Sequence, residues 1–319
     1  MTAPAPIVVG IDGSHAATAA ARWAAGEARR RQTSVSLVHG YTVPGARFGG
    51  TKTVMSEVGE SVRAGATSIL NRTRDAVLGA HPDVDIDICL VHDSPAGALR
   101  TASENAQMTV VGTAGAPQAI SAMPGSIAAR VVGHAHGPVV LIRTEFRAGQ
   151  TPAEAIEQAA AGLDTGPIVV GVDRSEDSEV ALGFALAEAR LRGVGVVVIH
   201  TWDVPALVGL DSDHPSVLQD RSETERTETQ SLADQLAGWA EKFPDVTVTS
   251  SVVRGRPAQS LLAYCREPAD GVRPGLLVVG SRGRGGFNGK LLGAIGQEVL
   301  AGSPCPVAVV RPAPVPARP

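Results

Sequence analysis

The chain has 319 residues, 44% of them hydrophobic but only 3% aromatic, and a formal net charge of −4 with a pI near 6.1. That length suits two domains of ordinary size, and the mild acidity argues against a general electrostatic grip on nucleic acid or on an anionic membrane. With so few aromatic rings, the cores must be built of Ala, Val, Ile and Leu, the composition of parallel sheets covered by Ala-rich helices.

In chain order, Ile7 to Ile11 is a short apolar run of β-branched residues, and Ser14 opens an Ala-rich stretch over 16–31 that ends in Arg29, Arg30 and Arg31. This predicts a buried strand, an N-capped helix and a cationic helix end suited to its dipole. Val35 to Val38 predicts a second strand, 41–50 a loop rich in Gly and Pro, and the polar but periodic stretch from about Val54 to Gly79 a long helix. Val84 to Val91 predicts a third strand, Pro95 to Asn105 a helix, Met108 to Gly112 a fourth strand, Gly125 to Val132 a helix, and Val139 to Ile142 a fifth strand. The alternation β-α-β-α-β-α-β-α-β predicts an α/β fold with a doubly wound parallel sheet and right-handed crossovers.

The chain then repeats itself. Pro6-Ile7-Val8-Val9-Gly10-Ile11-Asp12-Gly13-Ser14 returns as Pro167-Ile168-Val169-Val170-Gly171-Val172-Asp173-Arg174-Ser175, an offset of 161 that also maps Glu27 to Glu188 and His39 to His200. Later the offset is 168, so that Val110-Val111-Gly112 meets Val278-Val279-Gly280, and Gly137-Pro138 meets Cys305-Pro306. A unit of this size is a whole domain, too long for a solenoid element. The second copy carries predicted strands near 168–172, 195–200, 247–253, 276–280 and 306–311, with its long helix near 219–241. Residues 1–146 and 166–312 are thus expected as two domains. The stretch 147–165 is expected as a linker, in which Thr151 to Ala161 has helical potential but needs no core, and Pro-rich 313–319 as a tail.

Cys89, Cys265 and Cys305 form no CxxC pair and no metal-ligand spacing, and are expected as buried thiols in a reducing compartment. The start Met1-Thr2-Ala3-Pro4 lacks a basic region followed by an apolar one, and no run approaches the length of a membrane span, so a cytoplasmic location is expected.

After the fourth strand of each copy, glycines recur at one spacing. Gly112-Thr113-Ala114-Gly115 is followed after nine residues by Gly125-Ser126, and Gly280-Ser281-Arg282-Gly283 after nine residues by Gly293-Ala294. Glycine at a strand end lets backbone approach a ligand, and a glycine that opens a helix exposes free amide groups suited to phosphate. In a doubly wound sheet the binding crevice lies at the carboxyl ends of the strands, at the topological switch point, where Asp12 and Asp173 would sit across it. Loop punctuation explains one such set of glycines, but the same set stands twice at the same place relative to the strands.

With the strand-end Asp and the G-x2-G-x9-G-[ST] pattern, the chain resembles a tandem universal stress protein, each copy covered almost end to end. The resemblance implies two five-stranded parallel sheets of order 3-2-1-4-5, a Rossmann-like fold akin to that of the adenine nucleotide α-hydrolases, related by a pseudo-twofold. It implies ATP as ligand, with or without Mg²⁺, and a sensing or regulatory role in a stress response rather than a dedicated enzyme. Asp12 and Asp173 would accept from adenine or ribose, and Gly40 or Thr201 would touch adenine. Gly112, Gly115 and Gly125 would shape the ribose-phosphate path, as would Gly280, Gly283 and Gly293, with Ser126 and the Ile127 amide, or Ala294, at the phosphate. The resemblance further implies pairing of the two domains through Val139 to Ile142 and Val307 to Val310, and leaves room for a homodimer.

The copies depart from the pattern in opposite ways. The first keeps Gly125-Ser126 but has Ala128 where a second hydroxyl is common, and its loop from Ala116 to Pro124 carries no cation. The second has Arg282, Arg284 and Lys290, but Ala294 and Gly296 remove both hydroxyls. Two readings therefore stand beside nucleotide sensing: a nucleotide-free scaffold for a partner protein, and a slow ATP hydrolase, for which no general base repeats in both copies. Gly283 to Phe287 resembles an RGG element, yet the glycine motif absorbs it. Gly289-Lys290 fails as a Walker motif, because Arg284 and Leu291 stand at two required positions. His134-Ala135-His136 and Asp211 to His214 lack further metal ligands and read as polar loops. His39 and His200 read as hydrogen-bonded strand-end histidines.

Overall fold

A computed structural model describes residues 4–43, 52–114, 127–145, 149–161, 166–202, 215–268, 271–283 and 292–312. The described residues up to 161 belong to one compact unit and those from 166 to 312 to another.

In the first unit the elements are β1 (Ile7–Gly10), α1 (His15–Arg31), β2 (Val35–Gly40), α2 (Lys52–Leu78), β3 (Ile86–Val91), α3 (Pro95–Ser103), β4 (Met108–Ala114), α4 (Ile127–His134), β5 (Val139–Thr144) and α5 (Pro152–Ala161). The strands are parallel, in the order β3-β2-β1-β4-β5. Central β1 pairs Val9 with Leu37 on one side and Val110 on the other. Ile7, Val8 and Val9 are all buried, as a strand with helices on both faces requires. Several strands outrun their apolar runs, because ladder bonding continues through polar residues: His39 and Gly40 pair with Leu90 and Val91, and Thr113 and Ala114 with Arg143 and Thr144.

The first helix begins where its sequence predicts, with Ser14 Oγ accepting the Ala17 N–H at 3.1 Å. Its alanines are buried on more than one side: Ala16, Ala17, Ala19, Ala20, Ala21, Ala24, Ala25 and Ala28 all lie within the core. The sheet covers one side and α5 another, which corrects the expectation of a linker over 147–165. The helix α5 buries Ala155 and Ile156. It opens on a capping box, in which Glu154 Oε2 accepts the Thr151 N–H at 2.8 Å and Thr151 Oγ1 accepts the Glu154 N–H at 3.3 Å. The Thr151 amide, and after it the Thr151 hydroxyl, hold the Glu154 carboxyl below the usual carboxylate range. Cys89 is also corrected. It is exposed, because β3 is an edge strand whose middle residues Asp87, Ile88 and Cys89 are all exposed, on both faces of the strand.

The second unit repeats the plan with β6 (Ile168–Val172), α6 (Glu176–Arg192), β7 (Val196–Trp202), α7 (Pro215–Lys242), β8 (Val248–Arg254), α8 (Pro257–Arg266), β9 (Leu276–Gly280), α9 (Ala294–Gly302) and β10 (Val307–Val310). Its parallel order is β8-β7-β6-β9-β10. No helix among the described residues is long and apolar enough to cross a membrane.

One charged feature recurs in both cores. Glu27 is 1% exposed and meets Arg30 Nη1 at 2.7 Å together with the Arg31 guanidinium. Its counterpart Glu188 is buried and meets Arg192 Nη2 at 3.4 Å. A buried carboxylate facing largely buried cations is costly to remove singly, because a desolvated charge loses its partner. Glu27→Ala should therefore lower the unfolding free energy by about 3 kcal/mol, measured by urea denaturation. A loss below about 1 kcal/mol, the range of a surface pair, would show that water reaches the arginines.

Candidate functional site

In the second unit the strand ends and helix starts enclose a cavity of about 520 Å³. Its apolar wall comes from Val172, Ile199, Pro257, Leu261 and Val279, and its polar wall from Asp173, Ser178, Thr201, Ser281 and Arg282. Gly280, Gly283, Gly293 and Ala294 complete it. This is the carboxyl-end crevice expected of a doubly wound sheet, where β6 and β9 diverge to helices on opposite faces.

The turn from β6 to α6 is locked by short polar contacts. Asp173 Oδ1 accepts the Ser175 N–H at 3.0 Å and the Ser175 hydroxyl at 2.5 Å, while Ser175 Oγ accepts the Ser178 N–H at 3.2 Å. The other oxygen, Oδ2, lies over Gly283, where a Cβ would stand 2.6 Å from it. The Asp173 carboxylate and the glycine loop thus face each other at the cavity.

Across the sheet, Ser281 joins three elements. Its N–H donates to the Val310 carbonyl at 2.8 Å, its carbonyl accepts the Gly293 N–H at 3.0 Å, and its hydroxyl donates to Asp177 Oδ2 at 2.6 Å. The same Asp177 oxygen accepts the Arg282 N–H at 2.9 Å and lies 3.6 Å from Arg282 Nε. Arg311 stands close to this pair. Burial lowers its pKa from the usual guanidinium value, the neighbouring Arg282 charge acts in the same direction, and Asp177 opposes both. Arg282 and Arg311 thus both feel this carboxylate, and Arg282 brings a cation to a cavity wall that also carries the Asp173 carboxylate. Gly293 caps α9 with no side-chain hydrogen bond, leaving the first amides of the helix to the cavity lined by Ala294, Ile295 and Gly296. An uncapped helix start beside an arginine is an anion-binding arrangement.

The histidines at the second strand of each unit are anchored to the first. His39 Nδ1 donates to the Ile11 carbonyl at 2.7 Å and His200 Nδ1 to the Val172 carbonyl at 2.9 Å, since a carbonyl can only accept. His200 Nε2 further meets Glu228 Oε2 at 3.0 Å, and Glu228 pairs with Arg174.

In the first unit the described part of the site is smaller. Asp12 is exposed, with Oδ1 accepting the Ser14 N–H at 2.9 Å, and Ile127 opens α4 with 41% of its surface exposed. Gly40 and Gly112, expected along the ligand path, have their missing side chains aimed at protein. A Cβ on Gly40 would stand 2.7 Å from Pro95 Cα, and one on Gly112 would stand 2.2 Å from the Ala16 carbonyl oxygen. Gly115, Gly125, Ser126, the loop from Ala116 to Pro124, Arg284, Lys290, the body of the RGG-like stretch and Asp211 to His214 lie outside the described residues.

Sequence comparison of the copies passed over Asp177, Ser178 and Ser281. Their counterparts are Ala16, Ala17 and Thr113, so a search for what both copies share discards the first two. The Asp-x-Ser-x-x-Ser run from Asp173 to Ser178 was the available signal, since serine near a helix start favours side-chain to backbone bonds.

The glycines thereby fall into two physical classes. Gly112→Ala should cost at least about 2 kcal/mol by pressing a methyl into backbone. Gly293→Ala, whose nearest neighbour would be 3.7 Å away, should cost below about 1 kcal/mol. Urea titration of both variants checks this, and equal losses would remove the distinction.

The universal stress protein family matches the chain twice, over residues 5–143 and 165–311. A universal stress protein of Mycolicibacterium smegmatis is 34% identical over 310 residues, covering 96% of this chain and 97% of that one. One from Mycobacterium tuberculosis is 34% identical over 315 residues, covering 96% of each. Among solved structures, a universal stress protein from Archaeoglobus fulgidus shares the fold with a TM-score of 0.60 at 16% identity, covering 97% of both chains. The chain therefore belongs to the universal stress protein family, with one family domain in each half.

Proposed function

We propose that the second unit binds an adenine nucleotide, with ATP as the ligand expected to occupy it, and that the protein senses or regulates through this binding rather than by catalysis. The observation that carries the reading is the convergence on one 520 Å³ cavity of Asp173, Thr201, the three glycines and the uncapped start of α9. The apolar wall of Ile199, Pro257 and Leu261 suits a base, Asp173 suits ribose or adenine donors, and the α9 amides with Arg282 suit phosphate. A metal ion accompanying the phosphates would be held by them rather than by side chains, since no group of three or more His, Cys, Asp or Glu with metal-site spacing occurs among the described residues.

Ala294 and Gly296 line the phosphate side without hydroxyls. A neutral donor to a charged phosphate contributes about 1.5 to 3 kcal/mol, so affinity should be modest and improvable. Titration calorimetry of the full chain with ATP and Mg²⁺ should give saturable binding. Asp173→Ala should weaken it about tenfold, and Ala294→Ser should tighten it about tenfold, as one hydrogen bond to a charged group implies. Absence of heat and of any thermal shift at millimolar ATP and AMP would sink the reading in favour of a nucleotide-free scaffold. Steady phosphate release would favour slow hydrolysis.

A further inference from the structure

Strand β3 stands at the end of the strand order and pairs with β2. Val35 donates its N–H to the Asp85 carbonyl and Tyr41 donates to the Val91 carbonyl, both at 2.9 Å. The odd-numbered residues of β3 therefore turn their backbone groups to β2, because residues alternate in direction along a strand. Ile86, Ile88 and Leu90 turn theirs to the open edge.

The side chains of these three residues continue a row of the core. Ile86 lies beside Val35 and Ile88 beside Leu37, and both β2 residues are fully buried. The row stops at Ile88, which is 39% exposed and is, among the described residues, the only exposed large hydrophobic side chain in a strand. In the second unit the same row runs from Val196 and Val198 to Val248 and Ser250 on the edge strand β8, so a hydroxyl closes it. Cys89 likewise has Ser251 as its counterpart. Natural sheets blunt an open edge with proline, lysine or a bulge. The six residues of β3, in unbroken register and with Asp87 as their one charge, carry none of these.

We propose that the edge of β3 is a docking surface for a second copy of this chain, the two β3 strands pairing antiparallel about a two-fold axis at Ile88. An antiparallel pair bonds residues whose backbone groups face each other, so even-numbered residues meet even-numbered ones. With the axis at Ile88, Ile86 of each copy lies opposite Leu90 of the other and Ile88 opposite Ile88, so the whole row finds aliphatic partners. An axis at Asp87 would set two carboxylates opposite each other, which is destabilising. An axis at Cys89 would set Ile86 opposite His92 and break the row. The edge is thus complementary to itself in one register, as a closed isologous interface requires. Pairing of β3 with β8 of another copy would instead set the aliphatic row against Ser250 and would be head-to-tail, leaving an open edge at each end of the assembly. A six-residue pairing is small against the roughly 1,000 Å² of a stable interface, so the dimer should dissociate on dilution.

The test uses the full chain, with reductant present to keep the exposed Cys89 a thiol. In sedimentation equilibrium, the weight-average mass should rise from that of one chain toward that of two between about 1 μM and about 1 mM, and no further. Ile88→Lys sets like charges against each other on the axis. It should weaken association at least about tenfold while leaving the thermal midpoint unchanged. Hydrogen exchange of the unaltered chain should slow at the amides of Ile86, Ile88 and Leu90 as concentration rises, and stay constant at those of Asp87 and Cys89. That measurement decides the question even if the variant fails to fold. A mass fixed at that of one chain across the range overturns the proposal, and so does a mass that climbs past two chains. Association of folded Ile88→Lys protein as tight as that of the unaltered chain also overturns it, as does exchange at the three outward amides that ignores concentration.

Discussion

Everything in this protein depends on burying a parallel sheet from both faces. A strand such as β1 or β6, four or five residues long and paired on both sides, has no solvated face on which to place a polar group. Ile7, Val8, Val9, Ile168, Val169 and Val170 are accordingly apolar and buried, and the polar groups of the cavity stand at the ends of the strands. The carboxyl ends gain Asp173, Thr201, Ser281 and Arg282, and the amino ends of the second unit gain Cys265 and Cys305. Helices can lie close enough to cover such a sheet only if their inner side chains are small. This is why α1 is built from alanine, and why Gly112 stands where a methyl would strike the carbonyl of Ala16.

That constraint also explains what could be read from the residues. Continuous β-branched runs separated by Ala-rich stretches admit little besides a doubly wound sheet, so the element order and fold class were legible. The ends of strands were less so, because ladder hydrogen bonds continue through His39-Gly40 and Thr113-Ala114 with no change in backbone geometry to mark them. The helix over 152–161 was legible locally, through Thr151 and Glu154, but its need for a core was not. That need arises from the outer alanines of α1, more than a hundred residues earlier in the chain. Cys89 was misjudged for a similar reason: whether a strand residue is buried depends on its strand's place in the sheet, which periodicity does not encode.

The site was legible where the copies agree and obscure where they differ. Asp173 recurs at an offset of 161 and Gly280, Gly283 and Gly293 at 168, and the structure gathers them around one cavity. Asp177 has no counterpart carboxylate, since Ala16 takes its place, yet it fixes Ser281 and the Arg282 amide through one oxygen. A repeat identifies what a fold requires. It is silent on what one copy has added.

These additions follow a physical pattern. Ala16 and Asp177, Ala114 and Arg282, and Ser103 and Cys265 all occupy positions at or next to the ends of strands and helices, where the fold requires two backbone segments to meet but leaves the linking chemistry open. In the interior, one methylene more or less strains or empties a packed core. At an end, a serine that caps a backbone amide can become a thiol, or an alanine a carboxylate, provided the new polar atom finds a partner within reach. The second unit meets that condition at Asp177, which has the Ser281 hydroxyl and the Arg282 amide. These three differences fall where chemistry can change without disturbing the sheet, and a family match that covers both halves is compatible with two chemically unequal domains.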